Sequence, residues 1–363
     1  MQEHLFALSV HAYHAGELDV GQRACEKLLS MPLSRDREEL VRRNRTWYTR
    51  GLTALMPVSF HRFDIQPAHE GWSLFNPTIA SCGDGFLAIV RSSNYTIREG
   101  RYETPESDRG LIRTENLLCR LSRRLEVDDV RPIRVDYPKT DFPVDGLEDC
   151  RLDCRYTLDY GMRWTVSGTI LNHLGFDGTA RIATGRLNIL TGEVSELVVR
   201  HEPIPGRHEK NWMPFFGGAS TEFLYAAWED GRVATAKAAG GEWMVTKMSP
   251  SPAIARGFRG GTQLVRVDGG WLGIVHEVAA DTGGRIYEHR WIRLDNDRAL
   301  VGISEPFFFR EHRVIEFAAG LAMDDDDLVV TFGVRDAEAW AARVTIDDVL
   351  RVTEPLDIPE EDD

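Results

Sequence analysis

The residues best suited to chemistry in this chain are carboxylates, amides and cations that flank short apolar runs. Glu148 and Asp149 stand side by side in G-L-E-D-C-R-L, followed at once by Arg151. A like-charged neighbour raises a carboxyl pKa toward the range a general acid needs, so Glu148 could tune Asp149 for proton donation. Simple pairing of Asp149 with Arg151 is the alternative, and spacing does not separate the two. Comparable polar groups open apolar runs at Asn76, Lys210 with Asn211, Arg259 and Glu316. Others close them at Arg91, Ser167, Glu229, His276 with Glu277, and Asp336. Singly, such residues are ordinary solvent contacts. Recurrence in phase is different, because polar groups gathered about one axis are costly to desolvate unless they bind something. His276 is also readable as a core histidine, and Lys210 as a loop lysine.

A repeated two-strand phrase would position these groups. It occurs as FNPTIASCGDGFLAIVR, LEDCRLDCRYTLDYGMRWTVSG, NWMPFFGGASTEFLYAAWE, GTQLVRVDGGWLGIVHE and IEFAAGLAMDDDDLVVTFG. Each reads as a polar-tipped strand, a turn such as Gly83-Asp84-Gly85 or Asp268-Gly269-Gly270, and a hydrophobic strand. The phrases start at residues 75, 147, 211, 261 and 315, intervals of 72, 64, 50 and 54, which fit four strands plus variable loops per unit. Five such units closing radially predict a mainly β fold, a five-bladed β-propeller over residues 56–363, with only short protected edges. The first strand of each blade would then line the channel and bring its polar tip to one rim.

Residues 1–55 have a different period. Leu5, Leu8 and Ala12, then Val20, Ala24 and Leu28, recur three to four apart, as on helices. Gly16 separates two helices, and Pro32 with Ser34 and Asp36 introduces a third. The pattern A-Y-H-A-G-E-L…A-C-E-K-L-L resembles a tetratricopeptide repeat. Such repeats bury their faces only in arrays of about three or more, so this segment is expected to dock on the β domain. Binding of a protein partner, as the remnant of a longer array, is the weaker alternative.

Composition bounds the partners. The 363 residues carry 43 Lys and Arg against 57 Asp and Glu, a net charge of −14, which disfavours nucleic acid and anionic membranes. No run approaches the roughly 18 apolar residues a membrane span needs. The opening MQEHLFALSVHAYHAG lacks the basic start of a secretory leader, and the five cysteines form no regular framework, so a cytoplasmic protein with free thiols is expected. Cys150 and Cys154 would point the same way on a strand, as small buried hydrophobes. No ligand spacing for a metal and no G-x4-G-K-S loop occurs, so neither metal nor cofactor is expected.

The series F-N-P, G-L-E-D-C-R-L, H-E-K-N-W-M-P-F, R-G-G-T-Q-L, V-H-E…Y-E-H-R-W and F-A-A-G-L…T-F-G-V-R-D resembles glycoside hydrolase family 130 across residues 72–340. That family comprises five-bladed propellers, mostly β-mannoside phosphorylases with some β-1,2-mannosidases. Helices followed by this propeller also look like the rear part of bacterial proteins built from glycosyltransferase, tetratricopeptide and propeller modules. The resemblance implies that Asp149 is the acid, protonating the glycosidic oxygen through a sugar hydroxyl while phosphate attacks and inverts the anomeric carbon. It assigns Asn76, Glu148, Asn211, Tyr287 and Asp336 to the sugar, whose hydroxyls suit amide and carboxylate partners. It assigns Arg91, Lys210, Arg259 and His276 to phosphate, which a guanidinium fork binds well. An oligosaccharide or sugar phosphate is the implied partner, with inorganic phosphate as co-substrate. Trp72, Trp212, Phe258 and Tyr287 are candidate sugar-stacking aromatics, although aromatics are more often core. Two departures stand out. Cys150 replaces the proline of the family's E-D-P-R, and Trp228 with Glu229 replaces a His-Arg pair that holds phosphate. A carboxylate in place of that cation weakens phosphate binding, and Glu229 or Glu277 could serve instead as the base of an inverting hydrolase. A glycan-binding module without catalysis is the remaining class.

Overall fold

The period-two runs fold as antiparallel strands in a mainly β, propeller-like array, with helices at the N-terminus. The computed structural model describes the chain except residues 159–160, 175–177, 200–205, 219–220, 226–231, 240–241 and 357–363. The first sheet holds Ser73–Cys82, Gly85–Ser93, Ile112–Ser122 and Val127–Pro132. The second holds Glu148–Thr157, Gly161–Ile170, Arg181–Leu187 and Glu193–Val199. The third runs from Met213–Pro214 through Glu222–Tyr225 and Arg232–Ala239 to Glu242–Pro250. The fourth is built on the long pair Gly270–Asp281 and Gly284–Asp295, with Arg259–Gly260 and Val265–Val267 alongside the first of them. The fifth holds Glu316–Asp324, Asp327–Val334 and Glu338–Thr345, and is completed by Ser59–Arg62 from the start of the β region. That last pairing joins the two ends of the β region and ties first sheet to last.

Apolar clusters fill the spaces between consecutive sheets. Leu118 packs with Leu152 between the first and second sheets. Ile182 packs with Phe223 between the second and third, and Leu224 with Ile292 between the third and fourth. Trp291 packs with Phe332 between the fourth and fifth, and Ile79 with Val329 where the fifth returns to the first. Both Cys150 and Cys154 lie in the cluster between the first two sheets, and all five cysteines are free thiols. At the centre, the buried Gln263 amide nitrogen donates to Ile79 O and, at 2.8 Å, to Leu321 O, linking three sheets through their innermost strands. A buried amide so satisfied fixes the sheets relative to one another.

The helices form as the periodicity predicts: α1 Gln2–His14, α2 Leu18–Leu29 and α3 Arg35–Arg45, with Gly16 at φ 76 in the first turn. Cys25, Leu28, Val41 and Tyr48 make their core. They dock on the fourth sheet, as expected. Arg45 is wholly buried there and pairs with Glu288 at 2.7 Å and Glu277 at 3.0 Å. A two-residue strand, Arg50–Gly51, then pairs in parallel with Phe307–Phe308 of the fourth sheet, and a short helix, Leu52–Leu55, follows it. Among the described residues no helix is long and apolar enough to cross a membrane.

Candidate functional site

Three entrances to inner strands share an unusual backbone. Asn76, Asp149 and Asn211 have φ of 47, 47 and 59, and Asp336, just beyond Asp327–Val334, has φ of 50. Left-handed φ is uncommon outside glycine and is best tolerated by Asn and Asp. Pairing registers slip between Phe75 and Thr78 and between Glu148 and Arg151. These are bulges, which re-aim side chains at the ends of strands and are frequent next to active sites. The in-phase recurrence seen in sequence is therefore also a recurrence of backbone geometry.

The bulges bring Asn76, Arg91, Glu148, Asp149 and Lys210 into one bonded group. Asp149 Oδ1 accepts from Asn76 Nδ2 at 2.8 Å and from Arg91 Nη1 at 3.0 Å. Arg91 Nη2 donates to Glu148 at 2.7 Å, and Lys210 Nζ reaches the other Glu148 oxygen at 3.3 Å. Thr114 Oγ1 accepts from Arg91 Nε and Nη2 at 3.3 Å. All three guanidinium nitrogens of Arg91 are thus engaged by the protein, so it organises the two carboxylates. Asp336 joins through Tyr95, whose hydroxyl donates to it at 2.9 Å and whose ring lies 5.7 Å from the Arg91 guanidinium. The Asp149 side chain keeps 19% of its exposure, and its Oδ2 has no hydrogen-bond partner among the described residues.

His276, Tyr287, Arg259 and Asn211 form the adjoining wall. His276 and Tyr287 stack with ring centroids 5.0 Å apart and planes at 15°, and Arg259 is the pairing partner of His276. His276 Nδ1 and Asn211 Oδ1 are buried with no hydrogen-bond partner among the described residues. Lys210, Asn211 and the exposed Arg259 line one cleft of about 550 Å³. The two groups are joined by Arg151, whose Nε donates to Gly261 O and whose Nη1 donates to Asp149 O, both at 2.7 Å. Arg151 therefore holds the backbone of Asp149, while Arg91 takes its carboxylate.

The electrostatics depart from the like-charge reading of the sequence. Burial alone would raise the Asp149 pKa, but the Arg91 and Arg151 guanidinium groups and the Asn76 amide hold it below the ordinary value. Glu148 does not push it up, because Arg91 and Lys210 take the Glu148 charge. Asp336 moves the other way: burial raises it and the Asp149 carboxylate adds to this, against Arg91 and the Tyr95 hydroxyl. Two neighbouring carboxyls with opposed shifts are a common signature of divided proton roles. Burial, with His289 and Arg259 nearby, keeps His276 well below its usual value and therefore neutral. Burial brings Arg151 down to about 10.

Other candidates lie elsewhere. Glu277 points away from this group into ion pairs with Arg42, Arg45 and Arg290, which removes it as a base for water. Glu229 and Trp228 lie outside the described residues. Glu316 is fully buried and accepts the backbone N–H groups of Phe309, Arg310 and Glu311, a structural task. Trp212 and Phe258 are core aromatics, Trp72 packs against His69, and Tyr287 remains half-buried on His276. Sequence reasoning missed Tyr95 and Thr114 and saw Arg151 only as a partner for Asp149. Tyr95 carries no motif, whereas the arginine two residues after Asp149 in a strand was a usable signal.

No protein-family model and no curated protein matches the sequence. Solved structures do match. A β-1,2-mannobiose phosphorylase from Listeria innocua, in complex with β-1,2-mannobiose, aligns at TM-score 0.54 and 14% identity over 81% of this chain and 98% of its own. A structure from work on glycoside hydrolases of family GH130 that target β-1,2 mannosidic linkages in Candida mannan aligns at TM-score 0.55 and 12% identity, over 82% and 97%. A glycosyl hydrolase from Bacteroides ovatus aligns at TM-score 0.54 and 13% identity, over 85% and 99%. The chain has a fold like that of glycoside hydrolase family 130.

Proposed function

We propose that this chain is a five-bladed propeller enzyme acting on β-mannosides, by inverting phosphorolysis or by the reverse transfer from mannose 1-phosphate. Five sheets, an apolar cluster between each consecutive pair, and closure of the last by Ser59–Arg62 support the blade count. The observation that carries the chemistry is Asp149. It stands at a bulge with one oxygen fixed by Asn76 and Arg91 and the other without a protein partner among the described residues. In the transfer direction the acceptor hydroxyl oxygen bonds to the anomeric carbon, the carbon–phosphate ester bond breaks, and phosphate leaves. The acceptor's proton passes through a sugar hydroxyl to Asp149, whose lowered pKa leaves it ready as a base. Phosphorolysis reverses each step, with protonated Asp149 supplying the proton to the leaving oxygen.

Asn76 and Asp336 are assigned to sugar hydroxyls with Glu148, Asn211 and Tyr287 around them; Lys210 and Arg259 are assigned to phosphate in the shared cleft, beside neutral His276. Arg91 acts on phosphate only indirectly, since its nitrogens are taken. Hydrolysis as in a β-1,2-mannosidase is less well supported, because Glu277 is withdrawn into ion pairs. The test is incubation with mannose 1-phosphate and a panel of acceptor sugars, following released phosphate. Release that requires an acceptor supports the reading. Mannose release from β-1,2-mannobiose without phosphate would favour hydrolysis, and glycan binding without turnover would favour a binding module.

A further inference from the structure

We propose that α3 is a positioning element of the site, its Arg45 and Arg42 fixing the strand pair that presents His276 and Tyr287. The proposal rests on the reading that these two residues belong to the site. On the paired strands Gly270–Asp281 and Gly284–Asp295, His276 stands opposite His289 and Glu277 opposite Glu288. Side chains alternate along a strand, so the residue after each site residue faces the other way. His276 is followed by Glu277 and Tyr287 by Glu288, and both glutamates face the helices.

Directly opposed like charges destabilise a strand pair. Here both carboxylates are almost wholly buried, at 1% and 0% side-chain exposure, which makes their neutralisation obligatory. Arg45 supplies it from α3 and spans both, with Nη1 3.2 Å from Glu277 Oε1 and Nη2 2.7 Å from Glu288 Oε2. Arg42 adds a 2.5 Å contact to Glu277. The Thr49 hydroxyl, just beyond α3, also donates to Glu288. Arg290 completes the ring, reaching Glu277 at 2.7 Å and Glu26 of α2 at 2.6 Å. The helices thus grip the outer face of the two strands whose inner face carries the stacked His276–Tyr287 pair.

The test uses the full chain with Arg45→Met combined with Glu288→Gln, which removes opposite charges together and leaves Glu277 with Arg42 and Arg290. Urea unfolding reports folding, and the ring-proton shifts of isotope-labelled His276, assigned with Tyr287→Leu, report the stack. In a folded variant the His276 signal is expected to move toward that of Tyr287→Leu. If the mannoside activity is present, KM for inorganic phosphate should rise by roughly tenfold or more with kcat changed far less, as expected of a displaced binding group. Arg45→Lys, which keeps the charge but loses the fork, should restore much of both. If the double variant does not fold, the same readouts on Arg45→Lys decide, with a partial shift expected. An unmoved His276 signal in a folded variant overturns the proposal, whether or not the protein turns over mannosides. Absence of mannoside turnover in the unaltered protein with a moved signal overturns only the functional reading.

Discussion

Replacing Arg91 by methionine tests how the site is held together. Its guanidinium lies 2.7 Å from Glu148 and 3.0 Å from Asp149, and its side chain is 5% exposed. Without it, Asp149 keeps the Asn76 amide and the nearby charge of Arg151, and Glu148 keeps Lys210, whose half-exposed amine at 3.3 Å is a weak substitute. Breaking a buried ion pair by removing one partner costs about 3–5 kcal/mol, and here two adjacent carboxylates are left facing each other. The pH dependence gives the sharper reading. In the native protein Asp149 has a folded pKa below its unfolded value, so its stabilisation is present above the unfolded pKa of about 3.9 and lost as pH falls through the folded one. Without Arg91, burial and Glu148 should lift that carboxyl from its lowered value against Arg151 and Asn76, so the variant gains less stability than the native protein as pH rises. Urea unfolding of both proteins between pH 4.5 and 8 is the assay. The gap should be near its full size at pH 8 and shrink toward pH 4.5. A gap below about 1 kcal/mol, or one constant across that range, would refute the reasoning.

Asp149→Asn should lower mannoside turnover by roughly 10²–10⁴-fold, the usual worth of a general acid or base, while thermal unfolding shows a folded protein. Retention of most activity would remove Asp149 from that role. Gly333→Ala should strain the site, because a Cβ there overlaps Asn76. A loss of about 1–3 kcal/mol by urea unfolding is expected, together with weaker mannose binding, and a neutral substitution would contradict the packing. Sulfate, whose own charge is constant over the range, should bind more tightly as pH falls from 7 to 4.5. An anion beside Asp149 makes that carboxyl harder to ionise and draws in a proton, so affinity should gain up to about tenfold for each pH unit over which the proton is taken up. Calorimetry should show this dependence flattened in Asp149→Asn; an unchanged slope would place the anion elsewhere.

Much of the architecture was legible because alternation and turn chemistry are local. Four of the five phrases fell on paired strands, as did Met213–Pro214 and Glu222–Tyr225 of the third, and Gly16 fell between two helices. The contacts among Asn76, Arg91, Glu148, Asp149 and Lys210 followed from phase once the strands were placed around one axis. What stayed hidden were directions and partners. Glu277 follows His276, and period two sends it to the helices, but only α3 explains why a buried carboxylate is tolerated there. The fall in the Asp149 pKa depends on Arg91, which lies 58 residues earlier in sequence and one strand into the preceding sheet. Glu316 looked like a rim residue, yet its carboxylate is spent on three backbone N–H groups.

A crystal structure of the protein soaked with mannose and inorganic phosphate tests the central claim most directly. Sugar density should lie within hydrogen-bonding reach of Asp149 Oδ2 and Asp336, with an anion beside Lys210 and Arg259. Sugar bound on another face of the sheets, or an Asp149 carboxylate still touching only Asn76 and Arg91, would contradict the account.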